Sequence, residues 1–528
     1  MWPISFRRGA IRCVALTLAL LCMAPLARAA GTLTLDRATY EVGDTVQATY
    51  TTDTPGDKNW LGVYRQPGNG PVNGVYVGPS STWTYATGAS GVRSLPTQEL
   101  TPGRHVVYFL LNDGYQSITT PVEFDLVPRS NVLPLAFLSD RLSERNARAG
   151  ESYSGSIRAS ARSSNGPVVY SKVSGPAWLS VAANGDLSGS ASAGDIGANT
   201  FSVQAVDAGG ATVQSTLDIR VRPADEPRAD QVRILSFNAW DGGSHVELGR
   251  EKQLRVLFAE SADIVAIQEN AGNTAQALAD ALGWYHFSSG SNLAILSRYP
   301  IVSTHAVALG GSDAALGARI RIADFPTQEI IAWTTQLGFS PYPPHDACFG
   351  QLSASQLVQR EHDSGRVAAA NAILTGLSSQ LQDPQADVVL AADLHSPSHR
   401  DWTEATTAAH CTVGPVMWPT TLAIESAGLA DTYRRIHPDP AIAAGNTWSP
   451  VYPLQGGTSG PVEPQDRINY IFHRAANWAT VASEAIVHGT PSAYPDVARN
   501  LWPSDHAAVL TTLEYRDPGD RVFTDGFE

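Results

Sequence analysis

Four apolar runs of this 528-residue chain lead into or out of side chains that can do chemistry. The run VRILSF closes on Asn238, DIVAIQ on Glu269 and VVLAA on Asp393, and the pair Asp505 and His506 stands between LWPS and the apolar run AAVLTTL. Carboxylate and carboxamide oxygens are the hard donors that a divalent cation such as Mg2+ takes. A histidine beside a carboxylate is the side chain best suited to act as a base near neutral pH. Such a set suits hydrolysis of an anionic ester, in which a cation neutralises the ester and a base draws a proton from water. The chain has no G-x-S-x-G elbow, P-loop, dinucleotide fingerprint or H-E-x-x-H, so the common alternatives lack their residues.

Bringing these groups together requires strands that end at one place. From 231 onward strand-like runs alternate with helical ones. VRILSF, DIVAIQE, NLAILS and DVVLAAD read as buried strands, whereas ELGREKQLRVLFAES, TAQALADALG and ASQLVQREHDSGRVAAANAILTGLSSQL have helical spacing. This predicts an α/β domain over 231–515. Ahead of it the pattern is β alone, over 31–128 and again over 131–223, with VPRSNVLP and RPADEPRADQ as linkers. Trp60, Tyr64 and Tyr115 are expected in core or turns, and Asp195 and Asp207 as turn caps rather than calcium ligands.

Hydrophobic residues make up 43% of the chain and charged residues 16%, which excludes a disordered chain and leaves material for several cores. Arg7, Arg8 and Arg12, an apolar run over 13–26 that breaks at Pro25, and the triplet A-R-A at 27–29 make an export signal over 1–30. A secreted, periplasmic or cell-surface monomer is expected, since no later stretch is long and apolar enough to span a bilayer. Removing the signal takes four arginines (Arg7, Arg8, Arg12, Arg28) and no acid, so the formal charge moves from −14 to −18. That balance argues against passive binding to nucleic acid, but not against a nuclease that meets phosphate through bound cations. Cys348 and Cys411 remain after Cys13 and Cys22 leave, and in an exported chain they are expected to pair.

Five segments, LSFNAW (235–240), DIVAIQEN (263–270), AILSRYPI (294–301), AADLHSPSHRDWT (391–403) and WPSDHAAVL (502–510), occur in an order that resembles the endonuclease/exonuclease/phosphatase superfamily, DNase I-like in fold, over 231–515. The resemblance implies two packed β-sheets covered by helices, a four-layer α/β sandwich, with the site at one mouth. The whole chain is then multidomain, with two N-terminal all-β sandwiches preceding that domain. DKNWLGVYRQ with LLNDGY resembles a small immunoglobulin-like module, and 131–223 resembles a cadherin-like, immunoglobulin-type repeat. The superfamily resemblance makes Glu269 the principal metal ligand and Asn238 a ligand of the metal or of its water. Asp393 would orient the attacking water, Asp505 would bind metal or orient water, and His506 would be the base or a phosphate contact. Mg2+ is the expected ion, with Mn2+ or Zn2+ as alternatives.

Three positions depart from the superfamily pattern. Its Asp-x-Asn is Asp393-Leu394-His395 here, its Asn-x-His-Leu is Thr334-Thr335-Gln336-Leu337, and its Asp-Arg-Ile-Asp-Tyr is Asp466-Arg467-Ile468-Asn469-Tyr470. His395 would add a nitrogen donor, Gln336 would replace a chargeable phosphate contact, and either Asp466 or Asn469 would orient His506. Nucleic acid, phospholipid and inositol phosphate all remain open as substrates. A degenerate scaffold, with N-terminal modules that bind a surface, glycan or partner, is the alternative reading. SPYPPHDACFG (340–350), with Tyr342 and His345, and the loop 453–465 are expected at the rim, whereas His399 and Trp402 are expected to be structural. The tail GDRVFTDGFE, within 516–528, resembles a C-terminal sorting signal.

Overall fold

The computed structural model describes residues 31–97, 100–127, 133–288, 292–310 and 312–516, with the side chains of 312 and 313 left aside. Residues 1–30, where an export signal is expected, the tail beyond 516 and the centre of VPRSNVLP lie outside the described residues. The described residues fall into two compact units, one up to 127 and one from 133.

The first unit is a β-sandwich. Gly31–Leu35, Thr45–Thr52 and Ser90–Pro96 form one sheet, and Thr39–Glu41, Val122–Val127, Gly103–Leu110, Trp60–Gln66 and Thr82–Tyr85 form the other. Alternate residues such as Val46, Ala48 and Tyr50 turn inward to meet Leu61, Val63, Val107 and Phe109, so strand periodicity creates the core.

In the second unit, residues 133–222 form an immunoglobulin-type sandwich led by the long antiparallel pair Gly197–Val206 and Thr212–Arg222. Asp195 completes a capping box with Ser192, and Asp207 Oδ1 accepts from the Gly209 and Ala211 amides. Both aspartates are therefore turn caps. This sandwich shares one apolar core with the domain that follows, through residues such as Leu142, Tyr153 and Leu187 on one side and Leu254, Phe258 and Leu282 on the other. Arg298 is buried between them, donating to the Ser143 carbonyl (3.0 Å) and standing 3.9 Å from Glu144. The segment read as a linker is tied down, because Arg222 pairs with both Glu226 and Asp230.

The remainder is two facing six-stranded sheets. One runs Tyr285–Ser288, Leu293–Ser297, Ile264–Gln268, Gln231–Asn238, Ala508–Tyr515, Trp478–Ile486. The other runs Ile301–Leu309, Ser312–Asp324, Thr327–Gln336, Val388–Asp393, Asn469–Arg474, Ala430–Asp431. Between them pack Ile234, Ile264, Ile295, Ile320, Ile330, Val389 and Ile471. Truncating one of these isoleucines to alanine there would cost about 2–5 kcal/mol. The helices Gly249–Ala259 and Thr274–Leu282 cover the outer face of the first sheet, and Arg366–Gln382 and Pro419–Ser426 that of the second. Ile264–Gln268, Leu293–Ser297 and Val388–Asp393 are buried along their whole length, which is why their sequences show no alternation. Among the described residues no helix is long and apolar enough to cross a membrane.

Candidate active site

Strand register assembles the site. In one sheet Asn238 lies opposite Gln268 in a parallel pair, so Glu269, the next residue, stands just beyond the strand end. In the other, Gln336, Asp393 and Asn469 are direct neighbours across three strands. The two sheets are tied at this end by Gln268 Nε2 donating to Thr334 Oγ1 (3.0 Å). Glu269 (φ 56°), Asp241 (φ 50°) and His395 (φ 48°) adopt the left-handed backbone region at the strand ends, a strain of roughly 1–3 kcal/mol each that the surrounding packing must hold.

The polar groups interlock across the mouth. The Asn238 amide donates to Glu269 Oε1 (2.9 Å) and to Asp393 Oδ2 (3.0 Å), and its oxygen accepts from the Trp240 amide. Gln336 Nε2 donates to the same two oxygens at 3.0 and 3.2 Å. The Asp241 amide donates to Glu269 Oε2 (3.1 Å). His506 Nδ1 donates to Asn469 Oδ1 at 2.8 Å, which leaves the Nε2 lone pair free. His395 Nδ1 is fixed in the same way on the Leu337 carbonyl (2.8 Å), with Nε2 3.7 Å from Asp393 Oδ2. Asp505 Oδ1 lies 3.9 Å from His506 Nε2.

The electrostatics follow from burial. Burial pushes the Asp393 carboxyl up, but the imidazoles of His395 and His506 and the amides of Asn238 and Gln336 outweigh it, so the group sits below the usual carboxylate range. Asp505 lacks such donors, and burial together with the charge of Glu269 pushes it well up. Burial holds His506 below the ordinary imidazole value, against the pull of Asp393. Asp393 Oδ1 and Asp505 Oδ1 are buried without a hydrogen-bond partner among the described residues. Asp393, His395 and His506 bring donor atoms within 4.8 Å of one another, a set that could hold a metal ion.

Of Asp466 and Asn469, the structure brings Asn469 to His506 and not Asp466. Asp466 accepts from Trp402 Nε1 at 2.7 Å on the far side of Trp448, whose backbone lies between Asp466 and His506. Burial raises Asp466 to about 7 despite that hydrogen bond. Its neighbour Arg467 is also buried, held by Asp401 and Asp431, and this ion network fixes the strand that starts at Asn469. The other seven candidates, Asn238, Glu269, Gln336, Asp393, His395, Asp505 and His506, share the mouth with Asn469.

The rim is built from both expected loops. Cys348 and Cys411 form a disulfide across 63 residues. Tyr342 is buried, and His345 binds Glu463 at 2.8 Å. Trp402 is buried against Trp418, and His399 pairs with Glu425. Sequence reasoning missed Asn292, whose amide binds Gln336 Oε1, and Trp448, whose ring lies 4.9 Å from the His506 ring. Trp448, Tyr452 and Tyr494 make a row beside His506, with centroid separations of 5.4 Å at each step. Nothing in the sequence around these residues marks them, because they come from loops rather than from apolar runs.

Residues 235–506, just over half of the chain, match the endonuclease/exonuclease/phosphatase family model, and 137–222 match a putative immunoglobulin domain. The chain is 28% identical over 296 residues to an uncharacterized protein of Caenorhabditis elegans, a match that covers 54% of this chain and 91% of that one. Among solved structures it is similar to an endonuclease/exonuclease/phosphatase family protein of Bacteroides thetaiotaomicron (TM-score 0.36, 14% identity, 54% of this chain and 98% of that one). It is also similar to an AP endonuclease of Archaeoglobus fulgidus (TM-score 0.34, 18% identity, 53% and 98%). With the family model spanning the strands, the mouth and its histidine, the chain belongs to the endonuclease/exonuclease/phosphatase family and carries an immunoglobulin-type domain ahead of the family domain.

Proposed function

We propose that this chain is a divalent-metal-dependent phosphodiesterase with His506 as its general base, a finer reading of the phosphoester hydrolysis that membership of the family gives it. The carrying observation is the orientation of His506: Asn469 Oδ1 takes the Nδ1 proton, so Nε2 is the basic atom at the mouth, beside Asp393 and Asp505.

The donor set fits a hard divalent cation. Glu269 and Asp505 supply oxygens, whereas Asn238, expected as a ligand, turns its NH2 to Glu269 and Asp393 and its oxygen to the Trp240 amide, and so orients the carboxylates. The unpartnered Asp505 Oδ1 beside Glu269 is a repulsion that a cation would relieve. Mg2+ is the ion this oxygen set favours, and His395 Nε2 adds a nitrogen that would admit Mn2+ or Zn2+. When bound, the cation neutralises phosphate charge and stabilises the leaving oxygen. The chain's own residues do the rest. His506 Nε2 takes the proton of the attacking water, Asp393 orients that water, and the Gln336 amide holds Asp393 and Glu269 in place.

Nucleic acid is the substrate class this rim supports. Tyr494, exposed at the end of the row that Trp448 and Tyr452 begin, offers a ring to a nucleobase, a contact worth about 1–3 kcal/mol per base. Export from the cytoplasm is part of the proposal, since the Cys348–Cys411 disulfide suits an oxidising compartment. The test is hydrolysis of bis-p-nitrophenyl phosphate and single-stranded DNA by wild type and His506→Ala, with Mg2+, Mn2+, Zn2+ or EDTA. Activity that requires metal and falls at least about a hundredfold in the variant supports the reading. Activity in EDTA, or an unaffected variant, would falsify it.

A further inference from the structure

The first unit holds a second concave site, unrelated to the mouth. Its five-stranded sheet turns one face to the core, while the other face carries aromatic rings. Trp60 and Tyr64 alternate on one strand, and Trp83 and Tyr85 alternate on the edge strand Thr82–Tyr85, with Trp60 opposite Tyr85 and Gly62 opposite Trp83. Period-two geometry therefore places all four on the same face. Tyr76 and Tyr115 close the side of a cleft of about 440 Å³, which Ser80 and Asp113 also line. Gly62 lies beneath these rings, since a Cβ there would come within 2.6 Å of the Trp60 ring.

The cleft is ordered before any ligand arrives. Trp60 Nε1 is anchored on the Gly114 carbonyl (3.1 Å), and its ring stands edge-to-face with Trp83 at 6.2 Å and with Tyr115 at 6.0 Å. Trp83 is nonetheless 54% exposed, Tyr76 51% and Tyr85 43%, so a set of large rings is kept in water on a fixed scaffold. Tyr64 is fully buried at the base of the cleft, and its Oη has no hydrogen-bond partner among the described residues. A buried hydroxyl left unpaired is costly, and it marks a place where a partner supplies the missing bond.

We propose that this cleft binds a neutral polysaccharide, with a hexose ring on the Trp83 face and a sugar hydroxyl on Tyr64 Oη. Ring faces take the C–H side of a sugar, and a ligand hydroxyl satisfies Tyr64 Oη, while Asp113 is already held by Lys58 (2.9 Å). A quaternary ammonium would also suit aromatic walls, but it has no donor or acceptor for Tyr64. An anionic polymer or nucleic acid would need uncompensated cations in the cleft, yet the lining contains one carboxylate and no Lys or Arg, and the adjacent Lys58 is neutralised by its pair with Asp113. The role for the chain is to hold the hydrolase against a carbohydrate matrix.

The full chain is run in native gels cast with galactomannan, xyloglucan or laminarin, and its tryptophan fluorescence is titrated with the same polymers. Wild type is expected to be retarded by at least one of them, Trp83→Ala to lose at least tenfold in affinity, and Tyr64→Phe to lose severalfold while melting at or above the wild-type temperature. That last pair of readings separates ligand binding from packing, because a structural hydroxyl would lower the melting temperature when removed. The proposal is overturned by wild-type mobility unchanged in all three polymers, by retardation that survives Trp83→Ala, by displacement with choline, or by binding confined to polygalacturonate or to phosphatidylcholine vesicles. Hydrolysis of bis-p-nitrophenyl phosphate by Trp83→Ala stays at the wild-type level.

Discussion

At the mouth of the family domain the working side chains stand at strand ends, whereas in the cleft of the first unit four rings lie side by side on one face of a sheet, flanked by two from loops. The ends of two facing sheets can bring Asn238, Glu269, Gln336, Asp393 and Asn469 to one place, where their polar atoms satisfy and constrain one another. A sheet face cannot converge in that way, and it offers area instead, here the rings of Trp60, Trp83 and Tyr115. The first arrangement concentrates charge and suits a reaction, while the second presents a fixed surface and suits a ligand that stays unchanged. The two should therefore fail independently.

The largest separation is expected from Glu269→Gln. The carboxylate accepts three hydrogen bonds, from the side-chain amides of Asn238 and Gln336 and the backbone amide of Asp241, and the substitution keeps its shape while removing the charge that a cation needs. Here kcat/KM on bis-p-nitrophenyl phosphate should drop about a thousandfold, on the order of 4 kcal/mol of transition-state stabilisation. Without metal, thermal stability should hold or rise, because the charge of Glu269 helps to push Asp505 up. Gel retardation by neutral polysaccharide should not change. A variant within tenfold of wild type would show that the charge at the mouth is not what drives the reaction.

The rim comes next. In Cys348→Ser with Cys411→Ser, a closed loop spanning 63 residues opens, and the loss should be about 4 kcal/mol on the chain-entropy account. Urea unfolding should show the loss in the transition of the second unit and leave that of the first unit where it was. Equal shifts in both transitions would mean that the units do not unfold separately.

The same contrast explains what could be read in the sequence. Strand ends are legible because an uninterrupted apolar run frames the polar residue that closes it, as for Glu269 after IVAIQ and Asp393 after VVLAA. The alternating pattern over 31–128 likewise marks a sandwich, and the same alternation hides the cleft. Trp60, Tyr64 and Tyr115 look like core residues, and Tyr64 is indeed buried, but on the outer face, under rings that only the pairing of Gly62 with Trp83 brings together. Trp448 and Asn292 were illegible for a different reason: they reach the site from loops with no periodicity. The order of Asp466 and Asn469 in one motif gave no sign that the turn at Trp448 sends only the second to His506.

Asp466 supplies a test of that divergence. Burial raises its carboxyl from an ordinary 3.8 to about 7, so the folded state favours the protonated form. Its contribution is complete below the unfolded value near 3.8 and is lost as pH rises through about 7, which makes the native protein less stable at pH 8 than at pH 5 on this account. In Asp466→Asn the acceptor for Trp402 Nε1 remains and the titration disappears. The variant should gain on the order of 3 kcal/mol relative to wild type between pH 5 and pH 8 in urea unfolding. Activity at pH 7 should change little. A pH dependence identical in both proteins would remove Asp466 from the account.

The smallest effect concerns Asn469, which does meet His506. Its Oδ1 accepts from Nδ1 and so keeps the basic lone pair on Nε2. Asn469→Ala removes that acceptor, and the imidazole is then free to sample the other tautomer, so kcat should fall about tenfold, close to 1.4 kcal/mol, with little change in KM. Asn469→Asp keeps an acceptor at the same place and makes the bond charge-assisted, so its kcat should equal or exceed that of wild type. A residue that merely packed the strand would lower melting temperature and activity together in both variants. The orienting role instead predicts that alanine lowers kcat and aspartate does not, while polysaccharide retardation stays constant and the first unit takes no part.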